Sequence, residues 1–210
     1  MIHKTIDEEN IQGICESLAG QDADLRIIFE KYGTPPVWKR NEGFETLVHI
    51  ILEQQVSLAS AKACLDKLAQ KIGEITPQLF LKLNDEELKS LGFSRQKTSY
   101  CRGLAEAVLS GQLNLVSLQS YANEDVKTML KSLKGIGDWT ADIYLLMAMS
   151  RADVMPKGDL ALHISWRKLS NLEKNPTSDE FIEMAEKWQP FRSVAARMLW
   201  HFYLSERKKT

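Results

Sequence analysis

A glycine turn is the first feature of this sequence whose residue types and spacing could do chemistry. Gly135 and Gly137 flank one isoleucine in the string LKGIGDWTADIY, and the residues that follow have a helical pattern. A turn that opens into a helix presents backbone N–H groups at the helix N-terminus, and such groups bind anions. A DNA phosphate suits this arrangement and needs no lysine. A plain turn between two helices has the same GxG spacing, so the spacing alone leaves both interpretations open.

A single aspartate is the second such feature. Asp159 lies 20 residues after Trp139 and directly precedes the helical pattern LALHISWRKL. Its residue type and place predict an ordinary helix N-cap. The same carboxylate could face a sugar, where it would stabilise positive charge at the anomeric carbon or position a water. The two roles are compatible.

The elements that must position these residues are predicted to be helices. Apolar residues recur at the i, i+3, i+4, i+7 spacing of one helix face, as in Phe44, Leu47, Val48 and Ile51. N-cap residues precede several such patterns: Ser57, Asn84, Ser94, Asn123 and Thr177. We expect roughly ten short helices and no convincing strand. Residues 1–40 have a helical pattern, and the hairpin is predicted to join helices Glu124–Leu133 and Asp138–Ser150.

Composition excludes several classes of protein. The three cysteines among 210 residues are scattered, which excludes a four-cysteine iron–sulfur cluster and a cysteine-based zinc site. The N-terminus has no apolar core of an export signal, and no apolar run is long enough to span a membrane. We therefore expect a cytoplasmic protein, or a nuclear one in a eukaryote. The formal net charge of −1 shows no basic bias, although a local basic face is still allowed. Its candidate members are Lys39, Arg40, Arg95, Lys97, Lys134 and Arg192.

The string LKGIGDWTADIYLLMAMSRADVMPKGDLAL resembles the helix-hairpin-helix–Gly/Pro–Asp signature of the HhH-GPD superfamily of DNA glycosylases, most closely the DNA-3-methyladenine glycosylase II type. Further stretches resemble the wedge-loop segment, the next helix and the C-terminal helix of that family: FETLVHIILEQQVSLASAKA, GFSRQKTSYCRGLAEAVLSGQL and KWQPFRSVAARMLWHFY. The resemblance implies an all-α, two-lobed helical fold with a DNA-binding cleft between the lobes. One lobe would span about residues 40–150 and the other residues 1–40 plus 151–210, with no separate N-terminal β domain.

The resemblance also implies roles for particular residues. Asp159 would be the catalytic carboxylate. The base pocket would be lined by Trp139, Ile143, Trp200 and His201, where Ile143 and His201 replace tyrosines of some relatives. The hairpin residues that would contact the DNA backbone are Gly135, Gly137 and Thr140, and Gln54 and Gln55 match the wedge. The backbone carbonyls of Leu133 and Ile136 could hold a sodium or potassium ion. No cofactor is expected to be required.

Several residues have an alternative role or an open one. Arg192 could bind DNA as part of the basic face, and Ser193 could donate to a phosphate or cap a helix. A polar helix end is the alternative role for the two glutamines, and core packing is the alternative for Trp200. The role of Trp38, which precedes the wedge helix, is open.

The residue at position 139 bears on the reaction. Relatives that also cut the strand carry a lysine there, whose amine can form a Schiff base with the sugar, whereas Trp139 cannot. The resemblance therefore implies a monofunctional glycosylase in base excision repair, acting as a monomer on double-stranded DNA with damaged bases. The expected substrates are alkylated purines, chiefly 3-methyladenine, with 7-methylguanine as a second candidate. A tryptophan face attracts such a cationic base by roughly 0.5–2 kcal/mol.

Three other functions are alternatives. The first is a DNA-damage binder that kept the hairpin and lost the pocket chemistry. The second is a glycosylase for a neutral lesion such as hypoxanthine or uracil. The third is a helical scaffold, which would lack salt-sensitive binding to duplex DNA.

Overall fold

The computed structural model describes residues 4–207, and helices dominate that range. Its twelve α-helices, in chain order, are α1 Ile11–Gln21, α2 Ala23–Tyr32, α3 Phe44–Glu53, α4 Leu58–Ile72, α5 Pro77–Leu81, α6 Asp85–Leu91, α7 Arg95–Leu109, α8 Asn123–Lys131, α9 Asp138–Ile143, α10 Leu160–Leu169, α11 Ser178–Ala185 and α12 Arg192–Arg207. A π-helix, Tyr144–Ala148, follows α9, and 3₁₀ turns lie at Val116–Ser120 and Glu186–Trp188. Over the same residues, β pairing is limited to one antiparallel bridge between Thr5 and Arg151.

The chain divides into two compact units. Unit 1 comprises Met1–Lys39 and Leu145–Thr210, and unit 2 comprises Arg40–Tyr144. The lobes inferred from the sequence, about 40–150 and 1–40 plus 151–210, stay a prediction. No helix in the described part of the chain is long and apolar enough to cross a membrane.

Unit 1 is organised around α12, against which α1, α2 and α10 pack. Ala195 and Ala196 of α12 are fully buried, and their small side chains let neighbouring helices approach closely. Trp188 of this unit is almost fully buried, and its indole Nε1 donates to Asp22 Oδ2 at 2.9 Å. Asp22 also caps α2 by accepting from the backbone N–H groups of Asp24 and Leu25. This indole–aspartate pair therefore ties α2 to the segment that precedes α12.

Unit 2 is organised around α3, which packs against α4, α7 and α9. The apolar face predicted from the spacing of Phe44, Leu47, Val48 and Ile51 is buried, with at most 6% exposure of any of the four residues. That prediction is confirmed. The buried face explains why α3 has a fixed orientation in the unit, since most helical stability comes from packing of the apolar face.

The predicted helix starts are confirmed at four positions and wrong at one. The side chains of Ser57, Asn84, Ser94 and Thr177 each accept a backbone hydrogen bond from the first turn of their helix. Asn123 is instead the first residue of α8, because the backbone of the preceding Ala122 is extended and the chain turns helical one residue earlier.

Both helices predicted around the hairpin end earlier than expected. The first ends at Lys131 rather than Leu133, and the second changes at Tyr144 into a π-helix rather than continuing to Ser150. Within this π-helix, the Leu146 carbonyl accepts a hydrogen bond from Arg197 Nη2 at 2.8 Å. This partner lies 51 residues away, so the local sequence does not contain it.

Candidate functional site

The hairpin region, defined here as Leu133–Thr140, joins α8 to α9 in unit 2. Gly135 has a φ of +93°, a conformation that disfavours side chains. A Cβ added at Gly135 would also lie 2.2 Å from Cγ of Tyr100 on α7. The glycine is therefore required both by the turn and by the tyrosine ring that packs on it.

Two ion pairs connect the helices on either side of this turn. Lys131 Nζ lies 2.5 Å from Asp138 Oδ1, and Lys127 Nζ lies 3.0 Å from the Asp142 carboxylate, which is 1% exposed. The acidic residues that follow the glycines are thus offset by lysines of α8. A negative charge at Asp138 also suits the positive end of the α9 dipole.

The two adjacent glutamines after α3 have different environments. Gln54 Nε2 donates to the Gly135 carbonyl and to Thr140 Oγ1, both at 2.9 Å, so its amide links the end of α3 to the hairpin region. Gln55 is exposed and has a positive φ of 57°, which turns the chain sharply. Of the two predicted wedge residues, Gln54 is bonded to the hairpin region and Gln55 has the exposed side chain.

The end of α3 is fixed by further polar contacts. Arg40 makes two hydrogen bonds to the buried Glu53 carboxylate, at 3.0 and 2.7 Å, and Lys97 Nζ donates to the Leu52 carbonyl at 2.6 Å. These bonds hold the residues immediately before Gln54 in place. The side chains of Arg40 and Lys97 are therefore hydrogen-bonded within the protein. Other members of the predicted basic face are exposed: Lys39, Arg95 and Lys134.

The aspartate region, defined here as Trp38, Asp159 and Trp200, lies in unit 1. Asp159 is the N-cap of α10 and is 9% exposed. Its Oδ1 accepts from the Leu162 backbone N–H and from Trp200 Nε1, each at 3.1 Å. The predicted N-cap role is confirmed. The two donors fix the carboxylate relative to both α10 and α12.

Aromatic rings extend this region away from the carboxylate. The Trp38 and Trp200 ring centroids are 6.4 Å apart with an interplanar angle of 73°, an edge-to-face arrangement. His201 lies 6.5 Å from Trp38 and 6.0 Å from Tyr32. Trp38 is half-buried and has a φ of +50°, a conformation that costs a residue with a Cβ about 1–2 kcal/mol.

A histidine one turn after the aspartate adds little positive charge to its surroundings. His163 is buried and packs on Phe181 with ring centroids 4.9 Å apart. Burial lowers the pKa of His163 below its ordinary value, against the opposing effect of the Asp159 charge. The imidazole is therefore neutral at neutral pH.

Arg192 and Ser193, two predicted DNA-binding residues, both make hydrogen bonds within the protein. Arg192 pairs with Asp153 through Nε at 2.7 Å and Nη2 at 3.0 Å. Ser193 is fully buried, and its hydroxyl accepts from the Val154 N–H at 3.0 Å and donates to the Val154 carbonyl at 3.2 Å. This conformation leaves the Ser193 hydroxyl no place at a phosphate or at a helix cap, so neither expected role is supported.

The remaining base-pocket and cation candidates belong to unit 2. Trp139 is half-buried on α9, and Ile143 at the end of that helix is 2% exposed. The Leu133 carbonyl accepts from the Ile136 N–H at 3.2 Å, which leaves it a second lone pair with which it could bind a cation. Among the described residues, no group of three or more His, Cys, Asp or Glu side chains could hold a metal ion. An alkali ion would therefore depend on backbone oxygens.

Sequence reasoning missed three tertiary contacts in these regions. Tyr100 covers Gly135, Gln54 bridges to the hairpin, and buried Arg197 holds the backbone before Trp38. None of these contacts follows from periodicity or a motif. The one available signal is Trp38 itself, a tryptophan in the segment between two predicted helices.

Comparison with known proteins places the chain among DNA repair proteins. The sequence model of the HhH-GPD superfamily of base excision DNA repair proteins matches residues 48–190. The chain is similar to DNA-3-methyladenine glycosylase 1 of Schizosaccharomyces pombe, with 31% identity over 77% of this chain and 73% of the relative.

Solved structures agree with this similarity. A Schizosaccharomyces pombe 3-methyladenine DNA glycosylase in complex with abasic DNA matches with a TM-score of 0.81 and 28% identity, over 90% of this chain and 95% of that one. A Clostridium acetobutylicum 8-oxoguanine glycosylase/lyase in complex with DNA matches with a TM-score of 0.79 over 98% of this chain and 78% of that one. At 16% identity, that second match shows the fold alone. The predicted all-α glycosylase fold and the predicted family are confirmed.

Proposed function

The chain belongs to the HhH-GPD superfamily of base excision DNA repair proteins, and we propose that it is a DNA glycosylase that removes alkylated purines, chiefly 3-methyladenine, from double-stranded DNA. The observation that carries the proposal is the Asp159 carboxylate, fixed by a backbone N–H and an indole N–H. The similarity to 3-methyladenine glycosylases supports the substrate class.

Asp159 would act on the sugar rather than on the base. Breaking the N-glycosidic bond develops positive charge at C1′, and a fixed carboxylate stabilises that charge without reorganising. The departing purine takes the electron pair of the C1′–N bond and leaves as a neutral base, because alkylation had made it cationic. Water adds at C1′ and loses a proton, which gives an abasic site.

We further propose that the enzyme is monofunctional. Strand cleavage by a lyase needs an amine that forms a Schiff base with the sugar. Trp139 stands where the resemblance places that lysine, and an indole cannot form the adduct. The product would therefore be an intact strand that breaks only on treatment with alkali.

The hairpin region would bind the DNA backbone. A phosphate would bind the backbone N–H groups of Gly137 and Thr140 at the start of α9, and such contacts carry no sequence information. An alkali ion on the Leu133 and Ile136 carbonyls would add positive charge there. The exposed Gln55 would fill the gap left when the damaged nucleotide is extruded, as base-flipping enzymes require.

Recognition of the base would use aromatic faces. Trp200 would present its indole to the cationic purine while its Nε1 donates to Asp159. The assignment of Trp139, Ile143 and His201 to the same pocket stays a prediction from the resemblance.

The test is single-turnover base release from methylated duplex DNA, for the wild type beside Asp159→Asn. Asparagine can still cap α10 and accept from Trp200, so the variant removes the charge with little change in structure. We expect 3-methyladenine release by the wild type, a loss of at least about 100-fold in the variant, and strand breaks only after alkali.

Other outcomes would select among the alternatives. Faster release of hypoxanthine than of 3-methyladenine would identify a glycosylase for a neutral lesion. Tight duplex binding with no release of any base would identify a DNA-damage binder. Strand breaks before alkali would contradict the monofunctional assignment alone.

A further inference from the structure

Trp38 has a backbone conformation that its residue type disfavours. It is one of four residues other than glycine with a positive φ in the described part of the chain, at +50°. A bulky aromatic keeps such a conformation only where surrounding contacts determine it, and residues of this kind cluster at ligand sites. The segment between α2 and α3 is therefore held in place around this ring.

Arg197 on α12 is the residue that holds it. Its buried guanidinium donates to the Val37 carbonyl at 2.8 Å, to the Leu146 carbonyl at 2.8 Å and to the Ser193 carbonyl at 3.1 Å. Burial lowers the pKa of Arg197 to about 10, so the group is still charged at neutral pH. Burying a guanidinium has a desolvation cost, which its hydrogen bonds to three carbonyls offset. One of these bonds fixes the peptide immediately before Trp38.

The anchored ring lies next to the residues proposed to perform the reaction. Arg197 precedes Trp200 by one turn of the same helix, so one element sets the positions of both tryptophans. The Trp38 ring meets the Trp200 ring edge to face at 6.4 Å, and Trp200 in turn donates to Asp159. Trp38 is also half-exposed, whereas Trp200 is 8% exposed. The more accessible aromatic surface of this pair is therefore that of Trp38.

We infer that Trp38 is a selectivity residue whose indole face favours cationic, alkylated purines over neutral ones at the site beside Asp159. This inference rests on the proposed function and extends it. The exposed part of the Trp38 indole offers an electron-rich surface beside the Trp200 ring, and the attraction of a base to such a surface depends on the positive charge of the base. Edge-to-face packing also limits rotation of each ring, so the surfaces keep their positions when the base enters.

The test compares release of a cationic and a neutral base in single turnover. The substrates are duplexes that carry 7-methylguanine or hypoxanthine at one position, and the variants are Trp38→Phe and Trp38→Leu. The ratio of the two release rates is the readout, because a merely structural role would lower both rates together. We expect the release rate of 7-methylguanine divided by that of hypoxanthine to fall about fivefold to tenfold in Trp38→Leu. It should fall by less in Trp38→Phe, which keeps an aromatic face.

Trp166→Leu is the matched control. Trp166 is a buried tryptophan of unit 1 whose ring packs edge to face on that of Trp188. Its loss should leave the ratio unchanged even where it lowers stability. If Trp38→Leu does not fold, as judged by circular dichroism, the smaller shift in Trp38→Phe decides.

The outcomes separate the inference from the function it extends. Release by the wild type with an unchanged ratio in both Trp38 variants overturns the role of Trp38 and leaves the proposed function in place. Absence of any base release by the wild type overturns both.

Discussion

The hairpin region and the aspartate region are built by opposite means. The hairpin region is one continuous segment, and its features come from glycine backbone and from polar bonds to Gln54. The aspartate region is assembled from three separate segments, through an indole–carboxylate bond and an edge-to-face ring pair. The first offers backbone groups, and the second offers a charge and aromatic faces.

This difference indicates that the hairpin region binds DNA and the aspartate region acts in base release. Backbone N–H groups can position any DNA phosphate, whatever the base, whereas a fixed carboxylate beside tryptophans acts on a particular sugar and base. Damage to the hairpin region should therefore appear as lost affinity for all duplexes, and damage to the aspartate region as lost base release. Each prediction below tests that division.

After Asp159→Asn, the largest effect is expected for Gly135→Ala. The new Cβ would lie 2.2 Å from the Tyr100 ring, at a φ that disfavours alanine, so the turn must distort. We expect duplex affinity, measured by fluorescence anisotropy, to fall about 30-fold for damaged and undamaged DNA alike. Gly103→Ala on α7 is the control, because a Cβ there meets nothing within 4 Å. Unchanged affinity in Gly135→Ala would contradict a binding role for the turn.

Trp200→Phe tests the aspartate region. The phenyl ring keeps an aromatic face but removes the Nε1 donor to Asp159, so the carboxylate loses one of two fixing bonds. We expect single-turnover release to slow about tenfold with duplex affinity unchanged. Trp188→Phe removes an equivalent bond to Asp22 and should lower stability without slowing release. An equal slowing in both variants would mean that the effect is structural.

Gln54→Leu tests whether this glutamine is a link or a wedge. Leucine removes both bonds to the hairpin region, so we expect about a fivefold loss of affinity for undamaged duplex. Gln55→Leu should leave binding of undamaged duplex unchanged and weaken only the complex with an extruded base. If Gln54→Leu affects damaged duplex alone, then Gln54 acts as a wedge.

The smallest effect concerns Asp22, which forms an indole–aspartate pair without a proposed role in the reaction. Burial opposes ionisation, but hydrogen bonds from Lys187, Leu25 and Trp188 prevail and lower the pKa of Asp22 below its ordinary value of 3.8. A lowered pKa in the folded state stabilises the protein above the unfolded pKa, and this contribution is lost as the pH falls through the folded value.

We expect Asp22→Asn to reduce the free energy of unfolding by about 1 kcal/mol at neutral pH, and by less in acid. Urea titrations of both proteins at several pH values measure the difference. Base release by the folded variant should match the wild type. Slower release would show that the Asp22–Trp188 pair contributes to the site after all.

The sequence was informative where structure is local. The turn at Gly135, the N-cap at Asp159 and the buried face of α3 each depend on residue types within one or two helical turns, and each was predicted. The signature from the hairpin to Asp159 also identified the family, because its spacing is specific.

The sequence failed where a distant partner determines the structure. A carbonyl of the π-helix accepts from a guanidinium 51 residues away, and Gln54 bonds to the hairpin 81 residues later. Trp38 adopts a conformation against its own preference, which no propensity predicts. The residue type of Ser193 suggests a phosphate donor or a helix cap, but the side chain is completely buried.

The most direct test of the division between the two regions measures duplex affinity and single-turnover release of 3-methyladenine together, for wild type, Asp159→Asn and Gly135→Ala. The division predicts that Asp159→Asn loses release and keeps affinity. It predicts that Gly135→Ala loses affinity and recovers most of its release rate at saturating protein. Loss of both properties in both variants, with each protein folded, would contradict it.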